Sequence, residues 1–421
     1  MERAVVVSTA EEMRRLYPSV LAKTFALTRN LPDAEDAVQE AVERALRCWP
    51  VDGRPDSPEA WLVTVAANRH RDRIRSSLRE ERRADALALL ANASPWVRIA
   101  VGEAEVARGW KDDLLRLLVA CCHPALEPGE GAALALSTIV GLSVEEIARA
   151  FVVAPRTMEQ RLTRARKRLR ERGDADGASP EDATDRMAAV LRVVHLLFNE
   201  GYWSGADGPP IRADLCRLAI GLARSIADAF PKSAEAAGLL ALLLLHDARR
   251  GARMSDDGAP VPLPVQDRSR WDHAAIQDAT RLLERTLERR DPGPYQIEAA
   301  ISAVHCRAPT ADSTDWHEIA SLYALLESHR PTPSVRVNRA FAVGRAFGAA
   351  RGLALLDEMP TDVGPFPYSH LVRGTLLDEL GRLDEARISL GLALEQARNE
   401  HEATQIQARL RRIGASAPSK E

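Results

Sequence analysis

Apolar residues recur at intervals of three and four along nearly the whole chain, and no segment alternates convincingly with a period of two. The pattern predicts an all-α protein. The clearest helix pair lies between Leu142 and Arg170. Val144, Ile147, Ala148 and Phe151 share one face of its first helix. Val152 to Ala154 is short and uncharged, as a turn between two helices is. Pro155 suits the first position of the second helix, where a missing N–H costs nothing. Met158, Leu162, Ala165 and Leu169 form the inner stripe of that helix, and Arg156, Arg161, Arg164, Arg166, Lys167, Arg168 and Arg170 lie mostly off it. An apolar back with a basic front fits a DNA major groove, with the N-terminal side chains at base edges and the cations on phosphates. The alternative is a solvated basic helix in an ordinary bundle. The helix–turn–helix spacing favours DNA.

Two further helical patterns precede this pair. In Asp33 to Leu46, Ala34, Ala37, Val38, Ala41, Val42 and Ala45 face inward, and Asp33, Glu35, Asp36, Gln39, Glu40 and Glu43 face outward. Trp49 to Pro58 is rich in turn formers and is expected to be a loop. From Glu59 to Arg75, Trp61, Leu62, Val65 and Ala66 are candidates for burial. Asn68, Arg69, His70, Arg71, Arg73 and Arg75 make a basic end. A loop beside a basic helix suits capture of an unstacked base and its backbone.

The chain divides into blocks at 1–78, 109–173 and 180–421, with a charged link at 79–108 and the small-residue stretch DADGAS at 174–179. The last block is broken at Ala206 to Pro210, Ser255 to Pro264, Asp291 to Pro294 and Arg330 to Pro333. Within it Gly374, Leu377, Ala386, Leu390 and Ala393 sit at the small and large packing positions of a tetratricopeptide repeat. Val335 to Met359 is a weaker copy, and Ile276 to Leu287 adds another helix. One repeat is not stable alone, so stacked neighbours are implied. A generic helical hairpin is the alternative.

At 421 residues the chain has room for several domains. A net charge of −3 excludes a general nucleic-acid coat and makes the positive charge local. Only five of the 57 basic residues are lysines, a bias that genome composition alone can produce. Five scattered cysteines, Cys48, Cys121, Cys122, Cys216 and Cys306, fit free thiols in a reducing cytosol. The longest apolar run, Ala236 to Leu245, is too short to span a bilayer, and the N-terminus lacks a signal pattern. A cytoplasmic protein without a membrane segment is expected.

The text LPDAEDAVQEAVERAL, a loop and then PEAWLVTVAANRHRDRIR resembles region 2 of the extracytoplasmic-function sigma factors, and Leu142 to Arg170 resembles their region 4. The order and spacing match over about residues 10–172. HLLFNEGYWS, LLALLLLHDARRGAR, QDRSRWD, GPYQIEAAISAVH, TDW and VRVNRAFAV resemble the extension of a sigma subgroup with a tetratricopeptide-like tail. The resemblance implies a promoter-recognition subunit whose partners are core RNA polymerase, through the β′ clamp helices and the β flap, and promoter DNA. Asp33, Asp36, Gln39, Glu40 and Glu43 would meet the clamp. Trp49 and its loop, with Asn68, Arg69 and Arg73, would hold the −10 strand. Arg156, Thr157, Gln160, Arg161, Arg164 and Lys167 would read and grip the −35 element. Val152 and Ala154 replace the family's usual Gly and Ser in the turn, removing a cap bond, and Glu159 interrupts the basic helix.

Other clusters carry less. Cys121, Cys122 and His123 lack zinc spacing and are expected at a buried helix end. His195, Asn199, Glu200 and Tyr202 have no nucleophile or phosphate loop beside them, so no enzyme is expected. Neither a cofactor nor a metal is implied. Asp267, Arg270 and Trp271, with Arg268 and Asp272, form a polar-aromatic cluster. It is either a regulatory contact between the tail and the sigma domains or an internal network. The rival functions are a helix-turn-helix regulator or a repeat scaffold, either acting without polymerase.

Overall fold

The computed structural model describes residues 2–89, 113–151, 153–171, 186–202, 211–255, 259–288, 292–359, 367–397 and 400–415. Both small-residue stretches expected as breaks, 174–179 and 206–210, lie outside them, as do most of the charged link and Val152. The described residues form helices with no named strand, joined at one point by an isolated bridge between Met254 and Pro260. None of these helices is long and apolar enough to cross a membrane. The chain forms two compact units, Met1–Gly201 and Tyr202–Glu421.

The first unit begins with α1 (Glu2–Thr28), α2 (Leu31–Asp52) and α3 (Pro58–Leu89), each packed on the other two. Asn30 starts α2 by accepting the Asp33 amide at 3.0 Å, while Pro32 occupies its first turn. The inward side of α2 is mostly alanine: Ala34, Ala37, Ala41 and Ala45 are buried with Val38, and Val42 is half-buried. Small side chains let α1 and α3 approach closely, and Val20, Leu21, Phe25, Leu62 and Ala66 fill the space between.

The expected loop at Trp49 starts later than its composition suggests. Helix α2 continues through Pro50 to Asp52, where Gly53, at φ 90°, closes it. Trp49 is buried and meets the Trp61 ring edge-on at 5.5 Å between centroids. That apolar contact holds the last turn in the helix although Pro50 lacks a donor. Likewise α3 runs on to Leu89, into the span expected as a linker.

Helices α4 (Asp113–Cys121), α5 (Pro128–Val140), α6 (Val144–Ala150) and α7 (Pro155–Glu171) complete the helix-turn-helix part of this unit. Ser143 and Glu146 close a capping box on α6. Helix α7 begins at Pro155, with the Ala154 carbonyl accepting from Thr157 and Met158. Met158, Leu162 and Ala165 are buried as the stripe predicts. Helix α8 (Met187–Tyr202) follows, and Arg186 at its start donates to the Val119 carbonyl at 3.2 Å.

The second unit opens with α9 (Ala213–Ala229) and α10 (Ala234–Asp247). The Ala236 to Leu245 run is buried on nearly every side because α9, α11 (His273–Leu287) and α12 (Pro294–Arg307) surround it. Helical hairpins then stack in sequence: α13 (Trp316–His329), α14 (Pro333–Phe347), α15 (Ala349–Asp357), α16 (Pro367–Glu379), α17 (Leu383–Glu395) and α18 (Glu400–Ala415). Glycine sets the closest approach. A Cβ on Gly352 of α15 would fall 2.5 Å from the Ala340 carbonyl oxygen and 2.8 Å from Gly344 Cα, both backbone atoms of α14.

Gly352→Ala is therefore expected to destabilise this unit by about 1–3 kcal/mol, because backbone cannot yield as a side chain does. Gly391→Ala is the control: no atom lies within 4 Å of the added methyl, so stability should hold or rise by up to about 1 kcal/mol. Urea unfolding followed by circular dichroism compares the two, and equal midpoints would remove the close-approach argument.

Candidate promoter- and polymerase-binding surfaces

The outward face of α2 and the basic end of α3 line one cleft of about 620 Å³, with Asp33, Asp36, Gln39, Glu40 and Glu43 on one wall and Arg69, His70, Asp72 and Arg73 on the other. Residues expected to serve polymerase and DNA separately are thus neighbours. Arg69 Nε reaches Glu40 Oε2 at 2.9 Å, and Arg73 Nη1 reaches Asp36 Oδ2 at 3.1 Å. The hydrogen bond from Arg73 to Asp36 holds the guanidinium pKa above its ordinary value. Burial lowers that of His70. Gln39 donates to Glu43 at 3.3 Å, and Asn68 accepts from Arg71 at 3.1 Å. The Arg69, Glu40 and Arg73 side chains are about half exposed. Such pairs contribute about 0–1 kcal/mol each, so an incoming anion or cation can exchange with them.

Trp49 does not belong to this surface. Its burial against Trp61 leaves the exposed loop to start at Gly53, and its role is to hold α2 on α3.

The basic helix α7 presents two ends of different character. Arg156, Thr157, Gln160, Arg164 and Lys167 are exposed and Arg161 is half-exposed. Arg164 Nε turns back to the Gln160 carbonyl at 3.3 Å, and Lys167 lies 3.6 Å from Glu171. Arg166 points the other way. Its Nε and Nη2 donate to both oxygens of Glu35 at 2.9 and 3.1 Å, and Nη2 also reaches Ser137 Oγ at 3.3 Å. Burial opposes the charge on Arg166, but the bond and field of Glu35 more than offset it, leaving its pKa raised. Burial, reinforced by Glu35, pushes the Tyr17 hydroxyl up. Arg168 pairs with Glu130, and Arg170 lies 3.5 Å from Asp36. Helix α7 is thus tied to α2 and α5 along its C-terminal half. The sequence pattern placed Glu35 on the outer acidic face and Arg166 off the apolar stripe. Nothing in helical periodicity says that two such faces meet.

Cys121 is buried with Sγ 3.5 Å from Thr138 Oγ1, and burial pushes its thiol up to about 12. His123 Nδ1 accepts the Ala125 amide at 3.0 Å. No group of metal-ligating side chains occurs among the described residues. In the second unit Trp271 is 4 % exposed and so cannot be a surface anchor. Asp267 and Arg270 remain at the surface, Asp267 capping the Arg268–Arg270 turn by accepting the Ser269 amide.

Three family comparisons align with these elements. Sigma-70 region 2 matches residues 13–80, which hold α2 and most of α3, and Sigma-70 region 4 matches residues 116–169, the helix-turn-helix part. The chain is a sigma-70 family factor. A family of unknown function (DUF6596) matches residues 186–287. An uncharacterized protein of Rhizobium meliloti is 40% identical over 405 residues, 94% of each chain, and the two belong to one full-length family. The ECF RNA polymerase sigma factor SigE of Mycolicibacterium smegmatis is 27% identical over 170 residues, 40% of this chain and 63% of that one. No solved structure matches.

In this sigma factor the Glu35–Arg166 fork joins a region 2 helix to helix α7 of region 4. Glu35 is 13% exposed and Arg166 34%. Removing either partner leaves the other charge poorly solvated. Glu35→Ala or Arg166→Ala is expected to cost about 2 kcal/mol, less than a fully buried pair because Arg166 is partly in water. The double variant should lose less than the sum of the singles. A thermal or urea double-mutant cycle measures this, and strictly additive losses would mean the fork contributes nothing.

Proposed function

We propose that this sigma factor directs core RNA polymerase to specific promoters. Helix α2 docks on the β′ clamp helices through Asp33, Asp36, Gln39, Glu40 and Glu43. Asn68, Arg69 and Arg73 on α3 hold the −10 strand. Arg156, Thr157, Gln160, Arg161 and Arg164 on α7 read the −35 duplex, with Lys167 on phosphate and the region 4 part against the β flap. The observation that carries the reading is the pairing of regions 2 and 4 in one chain, each presenting its charged face to solvent. Exposed α2–α3 ion pairs support it further, since half-solvated pairs exchange for partner charges at little cost. The polymerase does the chemistry, and the cytoplasm is where both partners are met.

The division of labour that we infer is 1–78 for clamp and −10 DNA, 109–173 for −35 DNA, and a tetratricopeptide-like block from 180 onward. Stacked hairpins with Gly374 against Leu390 support the last. That block regulates the sigma domains from within the chain, because a tether keeps even a weak contact populated, at an effective concentration on the order of millimolar.

Run-off transcription with purified core polymerase tests the first claim. Asp36→Arg with Glu40→Arg should abolish co-purification with core and cut transcripts at least tenfold, while circular dichroism stays unchanged. Normal initiation by that variant would sink the clamp assignment.

Control by the tail is tested by truncation after Gly201, where the first compact unit ends. Transcription from a fixed promoter should change several-fold, with loss the expected direction. Equal output from the truncated and full chains, in a purified system and in cells, would show the tail serves another partner.

A further inference from the structure

The C-terminal unit contains a buried cation with no counter-charge among the described residues. Arg249 follows α10 and is 7 % exposed. Its Nε is buried without a hydrogen-bond partner, and among the described residues its guanidinium forms no ion pair. Burying a guanidinium in this way is strongly unfavourable unless something pairs with it.

Among the described residues the surroundings supply more donors, and no acid pairs with Arg249. Arg268 sits beside Arg249, with its Cζ 4.5 Å from the Trp271 ring centroid. Its Nη1 donates to the His305 and Ala308 carbonyls at 2.7 and 2.6 Å. A guanidinium has five N–H groups, so those two bonds orient Arg268 and leave Nε and Nη2 to donate. The indole Nε1 of Trp271, itself buried, has no partner either. The carboxylates of this segment among the described residues, Asp247, Asp267 and Asp272, are engaged elsewhere. Asp247 lies 3.0 Å from Arg250, Asp267 caps the Ser269 amide, and Asp272 caps the Ala275 amide. Cys306 supplies no anion, because burial raises its thiol pKa. Burial, then the fields of Arg249 and Arg268, push His305 down to about 4, which keeps it neutral near neutral pH.

The frame around these donors is rigid. Asp272 N–H donates to the Ala248 carbonyl at 2.9 Å, tying the two arginine-bearing segments together. A Cβ on Gly251 would lie 3.0 Å from the Arg270 carbonyl oxygen, so the Arg250–Ala252 and Arg268–Arg270 turns are close to backbone contact.

We propose that Arg249, Arg268 and the Trp271 indole N–H bind a phosphate-type oxyanion, either inorganic phosphate or the phosphate group of a small monoester. Two cations with no acid paired to Arg249 or Arg268 among the described residues match a dianion. Donors arriving from separate elements match a tetrahedral group better than a planar carboxylate. The site lies in the second unit and is independent of the surfaces assigned to polymerase and promoter.

Calorimetric titration of the full chain at constant ionic strength tests this, with inorganic phosphate, glycerol phosphate, acetate and chloride as probes, alongside thermal melts. Saturable phosphate binding is expected, with a melting temperature a few degrees higher at saturation. Tighter binding of glycerol phosphate would identify a monoester as the natural source, and equal binding would identify phosphate itself. Arg268→Gln, at a half-exposed position, should weaken binding at least tenfold while keeping the fold. Arg249→Met should abolish binding and, because it removes an unpaired buried charge, leave the anion-free melting temperature equal or higher. Absence of phosphate binding above the chloride background, equal binding of acetate, or undiminished binding by Arg268→Gln would each overturn the proposal.

Discussion

Helix α2 packs on α1, α3 and α7 and carries two incompatible faces. The inner side of α2 is alanine and valine, small enough for α1 and α3 to pack against it at short range. Its outer side is carboxylate. Because the inner side is small, the acids stand close to the neighbouring helices, within reach of Arg69 and Arg73 of α3 and of Arg166 and Arg170 of α7. Larger residues on the inner face would force α3 outward and separate these half-solvated pairs.

Exposure then separates these pairs into two kinds. Arg69–Glu40 and Arg73–Asp36 are about half in water, where screening leaves them weak and exchangeable. Glu35–Arg166 is enclosed by Tyr17 and Ser137, where a two-pronged charge-assisted bond is stronger and its loss more costly. Helix α7 is therefore anchored by its C-terminal half while Arg156, Thr157 and Gln160 stay exposed. One helix combines a fixed end and a solvent-facing end without any change in secondary structure.

The second unit uses the opposite material. Its first helices surround α10, which is apolar on all sides, and its hairpins approach through glycine rather than alanine. Polar groups are tucked into turns, and there Arg249 Nε and Trp271 Nε1 are buried donors with no hydrogen-bond partner among the described residues.

Periodicity alone determined the helical class, the inward alanines of α2 and the Met158, Leu162 and Ala165 stripe of α7. Each of these depends on residues three or four apart on one helix, and that is information a linear sequence carries. Composition misread the stretch from Trp49 to Asp52 as loop, because the Trp61 ring that keeps it helical lies on another element. It left Trp271 open between a regulatory contact and an internal network, and its burial against Arg268 makes it internal. The fork between Glu35 and Arg166 and the unpaired Arg249 were invisible for the same reason. Whether a charge is paired depends on which residues folding brings within about 4 Å of it, and for these residues the partners, or their absence, were decided only by the tertiary structure.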